Sequence, residues 1–195
     1  MKTILFFTFL YVSALPLFAQ RYVADAKQSK FTWTGYSEVG SYTPSGTLQL
    51  QQGILDITGT QISRGRIDMD MRTIQHENSK MQEHLRSEDF FNAPAFPTAT
   101  FVIQQMSGTQ ISGQLTIKGV TKPISFPVVV TKEGGELRIQ GKVTIDRTLY
   151  GIKYNSSSFF SGLGDYAIKN TFDLSFDIVA QQVSKPTLVG SALPK

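Results

Sequence analysis

Two histidines, His76 and His84, stand among Glu77, Glu83, Glu88 and Asp89, and these residue types could hold a metal ion. Their spacing matches no standard zinc pattern, in which close pairs of ligands are brought together. A surface helix with solvated charges accounts for them better. Asp146-Arg147 could form a catalytic pair, but a structural ion pair, or Asp146 closing the turn before Thr148, explains it with less. Nucleophilic chemistry has no visible footing. Cys is absent, there is no G-x-S-x-G elbow, and no P-loop or dinucleotide fingerprint occurs. Asn170 is the one polar side chain in an apolar row; it either orients a ligand head group or satisfies a neighbouring backbone bulge, and the second reading is favoured.

The elements that would position any such group read as strands, because apolar residues alternate with polar ones on a period of two. Ile168, Asn170, Phe172, Leu174, Phe176 and Ile178 share one face, opposed by Lys169, Thr171, Asp173, Ser175 and Asp177. Leu137, Ile139, Gly141, Val143 and Ile145 form a second row, Ile111, Gly113, Leu115 and Ile117 a third, and Ile124, Phe126, Val128 and Val130 a fourth. Upstream, Ile67, Met69 and Met71 alternate with Asp68 and Asp70, and Phe31 and Trp33 with Thr32 and Thr34. Turn signals such as Thr58-Gly59, Ser107-Gly108, Lys118-Gly119 and Gly134-Gly135 separate the rows at hairpin distance. About eight to ten strands result, and one open sheet of that size tends to curl or split. The choice is a closed barrel or a sandwich. One stretch, Lys80 to Arg86, reads as helix, capped by Asn78 or Ser79 and with Met81 and Leu85 on one face.

An eight-stranded barrel either fills its interior or holds one small ligand. Three features favour a ligand. Gly113 and Gly141 interrupt bulky inward rows, Met69 and Met71 supply an adaptable wall, and the loop from Thr148 to Tyr166 offers an aromatic rim. Each has a plainer reading, as a strand bend, ordinary core, or a plug over the barrel end. Pattern alone leaves the two even. The candidate lining is Phe31, Trp33, Met69, Met71, Leu115, Phe126, Ile139, Phe172, Leu174 and Phe176, with Asn170, Tyr150, Tyr154, Phe159 and Phe160 as candidate head-group or rim residues. Such a wall suits hydrocarbon, each buried methylene contributing about 0.8 kcal/mol.

Composition frames these readings. Lys2 precedes an apolar run from Ile4 to Leu17 that ends near Ala19, the order of a secretory signal peptide spanning residues 1–19. The expected domain is 20–180 and the expected flexible tail 181–195, where periodicity gives way to Pro, Gly and Ser. The formal charge of +4 is mild and forms no Lys/Arg cluster, so nucleic acid has little support as a partner. With no Cys, an exported chain must rely on its hydrophobic core rather than disulfides.

Four segments in order, His84 to Phe91, Phe96 to Phe101, Gly113 to Pro123 and Asp146 to Ile152, resemble the YceI family, and the resemblance covers about Tyr22 to Ala180. It implies an all-β, eight-stranded antiparallel, lipocalin-like barrel with one short helix, periplasmic in many members. It also implies a tunnel for polyisoprenoids, isoprenoid quinone precursors, or long-chain fatty acids or amides, without an established reaction and without a cofactor or metal. The Ser-rich aromatic segment from Ser156 to Gly164 departs from the simplest members. Asp89, Asp146 and Arg147 are expected to hold loops rather than touch lipid. The expected partner is therefore a long-chain lipid, with transient membrane contact and a homodimer left open. Two alternatives stand beside it: an enzyme acting on a lipid head group through Asn170, Asp146, Arg147 and the late tyrosines, and a stress-linked module with a filled barrel.

Overall fold

A computed structural model describes residues 19–183. One antiparallel sheet contains β1 (Gln20–Ala24), β2 (Lys30–Thr34), β3 (Ser45–Thr58), β4 (Gln61–Gln75), β5 (Thr98–Ser107), β6 (Gln110–Ile117), β7 (Val120–Glu133), β8 (Glu136–Asp146) and β9 (Thr171–Gln182). Strands β3 to β9 pair each with the next, and β1 and β2 both lie between β3 and β9. β1 takes the far end of that position, against Ile54–Ile57 and Ala180–Gln182, and β2 the near end, against Ser45–Leu48 and Asp173–Asp177. Nine strands therefore fill eight positions, and the sheet closes. The sandwich is excluded.

The break between β1 and β2 is locally satisfied. The Asp25 carboxylate accepts from the Lys27 and Gln28 backbone N–H groups, an Asx turn that bends the chain. Opposite it, the Asp25 N–H donates to the Val179 carbonyl and the Val179 N–H donates to the Ser29 hydroxyl, so β9 loses no partner. β7 carries Pro123 and Pro127, which cannot donate to a ladder. Both fall before Val128, where pairing with β8 begins. Beyond that point β7 and β8 diverge, and a short 3-10 turn, Arg147–Tyr150, packs against β7.

Helix α1 (Ser79–Arg86) starts where the Asn78 side chain accepts from the Met81 N–H. It buries Leu85, and the Arg86 guanidinium donates twice to the Ile74 carbonyl, tying the helix to the end of β4. The α1 segment, the loops 35–44 and 151–170, and the start of β9 all gather at this end of the barrel. The opposite end carries the tight turns at Thr58–Gln61, Ser107–Gln110 and Glu133–Glu136.

Two carboxylates are buried on the outer wall. Asp68 accepts from Thr100, Arg66 and Gln52. Burial raises its pKa, but these hydrogen bonds outweigh burial and hold it below the ordinary carboxylate value. Asp173 accepts from Tyr36 and Thr144 and pairs with Lys142, with the same balance and the same direction.

The last strand reaches Gln182 and pairs with both β1 and β8 there, so the expected domain boundary after Ala180 falls inside an element. The expected signal peptide, apart from Ala19, and residues 184–195 of the expected tail lie outside the described residues.

Candidate binding cavity

The inward rows line a cavity of about 90 Å³. That is several times the ~10–15 Å³ that one water needs. All ten predicted lining residues border it: Phe31, Trp33, Met69, Met71, Leu115, Phe126, Ile139, Phe172, Leu174 and Phe176. Every other lining side chain is also Leu, Ile, Val, Phe or Ala. No polar side chain faces this inner chamber. Four rings run in series around its waist: Phe31 to Phe176 at 6.2 Å between centroids, Phe176 to Phe126 at 5.8 Å, and Phe126 to Phe101 at 5.2 Å. At the turn end, Tyr22, Ile57, Leu137 and Ala180 are wholly buried yet do not line the chamber; they form its floor.

The inward glycines work differently from the expectation that they leave space by being small. A Cβ on Gly141 would lie 2.6 Å from the Phe176 ring, and one on Gly46 would lie 2.8 Å from Trp33. At Gly113 it would come within 2.1 Å of the Val102 carbonyl oxygen and 2.9 Å of the Phe101 ring. These positions let three aromatic side chains lie against the wall instead of projecting across the lumen. The space is kept open by where the rings go.

Trp33, Phe91 and Phe172 also border a second, outer chamber toward the α1 end, so they stand at the junction of the two. The outer chamber is lined by Tyr36, Tyr42, Met81, His84, Phe90, Arg147, Tyr154 and Thr171 among others. Here the rings are mixed with polar groups. His84 meets Tyr154 edge-on at 4.3 Å, Tyr154 lies 6.0 Å from Phe90, and Phe91 meets Phe172 at 6.0 Å. His84 is thus a chamber wall, which corrects its reading as part of a solvated surface helix. His76 stacks near Trp33 at 5.7 Å, and its Nδ1 accepts from the Asn78 N–H.

Arg147 is 2% exposed, and its guanidinium donates to the carbonyls of Lys169, Ile152 and Ile168. Burial lowers its pKa, though guanidinium stays charged at any ordinary pH. Of the two structural readings of Asp146-Arg147, the second holds: Asp146 closes the turn before Thr148, accepting from the Thr148 N–H and hydroxyl, and makes no ion pair with Arg147. Both residues hold loops, as the resemblance implied. Asp89 does not: its carboxylate is largely exposed and lies 3.9 Å from the His84 Nε2.

The rim candidates separate. Tyr154 lines the outer chamber, whereas Tyr150 is buried away from both chambers, its pKa raised by burial. Asn170 accepts from the Ser156 hydroxyl and donates to that of Ser158 just before β9, so it fastens the late loop rather than facing the lumen. Phe159 and Phe160 face solvent. Sequence reading missed Phe91, His84 and Tyr36 as chamber walls, although Phe91 lies within the Asp89-Phe90-Phe91 segment.

A family model described as "YceI-like domain" matches residues 22–180. The chain belongs to that family. Among YceI-like relatives, a UPF0312 protein of Shewanella denitrificans is 29% identical over 129 residues, covering 60% of this chain and 65% of its own length. A UPF0312 protein of Staphylococcus aureus is 35% identical over 92 residues, covering 44% of this chain and 54% of its own. The chain therefore spans less than two thirds of either relative. Among solved structures, Burkholderia cenocepacia BcnA superposes with a TM-score of 0.66 at 19% identity, covering 81% of this chain and 99% of that one. A polyisoprenoid binding domain from Saccharophagus degradans superposes at 0.64 with 14% identity, covering 83% and 98%. At those identities the likeness is one of fold.

Proposed function

We propose that this YceI-like chain is an exported, periplasmic binding protein that carries or sequesters one long apolar lipid, its tail in the inner chamber and its polar end in the outer one. The observation that carries this reading is the uniformly apolar lining of a chamber that shares Trp33, Phe91 and Phe172 with the outer chamber at the α1 end. Water in such a chamber finds no hydrogen-bonding side chain, so hydrocarbon displaces it at a gain of about 0.8 kcal/mol per methylene. A chain of ten carbons gains roughly 8 kcal/mol before the ordering and association costs are subtracted. Polyisoprenoids, isoprenoid quinone precursors, and fatty acids or amides meet this requirement, and the polyisoprenoid-binding neighbour from Saccharophagus degradans supports the first class. The chain acts by binding rather than catalysis. Asp146, Arg147 and Asn170, which a head-group enzyme would need, are committed to holding loops. A cavity of about 90 Å³ along the apolar lumen supports this reading over a filled-barrel module.

The test is native mass spectrometry of protein purified from a Gram-negative periplasm after expression with its own leader, followed by organic extraction. A prenyl or acyl species released in stoichiometric amount is the expected result. The bare polypeptide mass, unchanged after incubation with prenyl and acyl lipids, would sink the proposal.

A further inference from the structure

Exposed aromatic side chains, among the described residues, are confined to one end of this barrel. Among the described residues, Tyr42, Phe159, Phe160 and Tyr166 are the exposed rings, and all four belong to the loops at the α1 end. Exposed apolar residues on the strands are all aliphatic: Val102, Val129 and the cross-strand pair Val23 and Ile54, which is ordinary for a soluble surface. The two loops that carry the rings are fastened to each other. The Glu38 N–H donates to the Ala167 carbonyl, the Ser157 hydroxyl donates to Glu38, and Ser37 bridges Ile168. Tyr42 also lines the outer chamber, and the other three rings belong to the loop fastened to its own. Tyr166 is 79% exposed. A folded chain gains nothing from holding such a ring in water, and built exposure of this kind marks an interaction surface.

We infer that this aromatic rim docks on the interfacial zone of a lipid bilayer and sets the barrel mouth against the surface from which its ligand is drawn. The occupant follows from the chemistry and the position of the rim. Rings enriched at the headgroup level are the signature of membrane interfaces. Two lysines complete the pattern: the Lys153 ammonium lies 4.7 Å from the Phe159 ring and that of Lys169 lies 5.7 Å from the Tyr36 ring. The ammonium groups lie over the ring faces, and both lysines are exposed, so lipid phosphates can reach them. Glu38 and Asp165 on the same loops balance the two lysines, so the rim has no net charge to attract an anionic surface. Docking by rings predicts adsorption to neutral bilayers that salt does not abolish. An electrostatic contact would behave in the opposite way. The inference rests on the lipid-binding reading for its purpose, but adsorption itself does not need a filled cavity.

The test uses the full chain purified after leader removal, with phosphatidylcholine vesicles and with vesicles containing a third phosphatidylglycerol. Flotation reads adsorption, and a fluorescent prenyl lipid passed from donor to acceptor vesicles reads transfer. Loading the same lipid from detergent micelles reads the cavity alone. The expected result is adsorption to both vesicle types at low and high salt. A variant carrying Phe159→Ser, Phe160→Ser and Tyr166→Ser should adsorb and transfer roughly ten-fold less or worse, from the ring area lost to the bilayer, with micelle loading and melting temperature unchanged. Val102→Ser with Val129→Ser on the wall should change neither readout. Equal adsorption and transfer by the rim variant would overturn the inference, as would adsorption that requires the anionic lipid and vanishes in salt. Failure to load from micelles would instead strike the lipid-binding reading, and flotation would still decide the docking.

Discussion

The inner and outer chambers are built from opposite materials. The inner one is walled by regular strands whose lining side chains are all apolar, and aromatic rings pack close against Gly46 and Gly141. The outer one is walled by loops and one helix, mixes His84, Tyr154 and Arg147 with aromatic rings, and depends on side chain to backbone hydrogen bonds for its shape. The period-two pattern builds a uniform surface and hence a chamber that selects by length and width. The loops build a varied surface, where discrimination between polar ends can reside. The division teaches that tail binding and head recognition can change independently.

The largest test of that division is Arg147→Met. It removes three hydrogen bonds to buried carbonyls that hold residues 147–170 together, and should cost about 2–4 kcal/mol in urea unfolding. Lipid uptake per folded molecule should survive, because no strand of the inner chamber depends on that guanidinium. Uptake lost in step with stability would mean that the chambers are one unit.

Val143→Thr makes the converse test, placing a hydroxyl of nearly the same shape in the dry wall. Affinity for a long-chain lipid, followed by displacement of a fluorescent acyl probe, should fall about ten-fold for want of a partner to that hydroxyl. Tyr154→Phe in the outer chamber should change tail affinity by less than about two-fold.

Gly141→Ala is subtler. The added methyl meets the Phe176 ring at 2.6 Å and turns it into the lumen. Stability should fall by about 1 kcal/mol or a little more, while the longest chain retained in native mass spectrometry becomes shorter.

The smallest effect expected is that of acid on uptake. Asp68 and Asp173 titrate below the ordinary carboxylate value when folded, so their contribution to stability is full above about pH 5 and drains away as the pH falls through 4 and below. Both lie on the outer wall, and neither chamber is lined by a carboxylate. The melting temperature should therefore drop in acid while binding per folded molecule holds constant. A binding curve that titrates ahead of unfolding would place a carboxylate in contact with ligand.

Legibility in the sequence followed the same division. A residue such as Leu115 or Phe172 announces its face by its place in an alternating row, and all ten lining residues predicted in this way border the chamber. Barrel closure was not written in any one row, because a sandwich uses the same alternation; the YceI-like segments decided it in advance. In the loops no period exists. Tyr150 and Tyr154 are four residues apart and of one type, yet one is buried at the end of the 3-10 turn and the other lines the outer chamber. Asn170 looked like an inward residue because its row was extended one step past the start of β9. The split between β1 and β2 was equally hidden, since an Asx turn at Asp25 resembles any loop.

The floor made by Tyr22, Ile57, Leu137 and Ala180 has a consequence for timing. A tube sealed at one end admits a chain tail first and returns it by the same route, so each additional methylene seated must be withdrawn before release. At about 0.8 kcal/mol each, residence time should lengthen roughly four-fold per methylene. That growth should stop at the chain length that reaches the floor. Plotted for a homologous series, dissociation rate would show a slope and then a shelf, and the shelf would measure the depth of the barrel in carbon atoms.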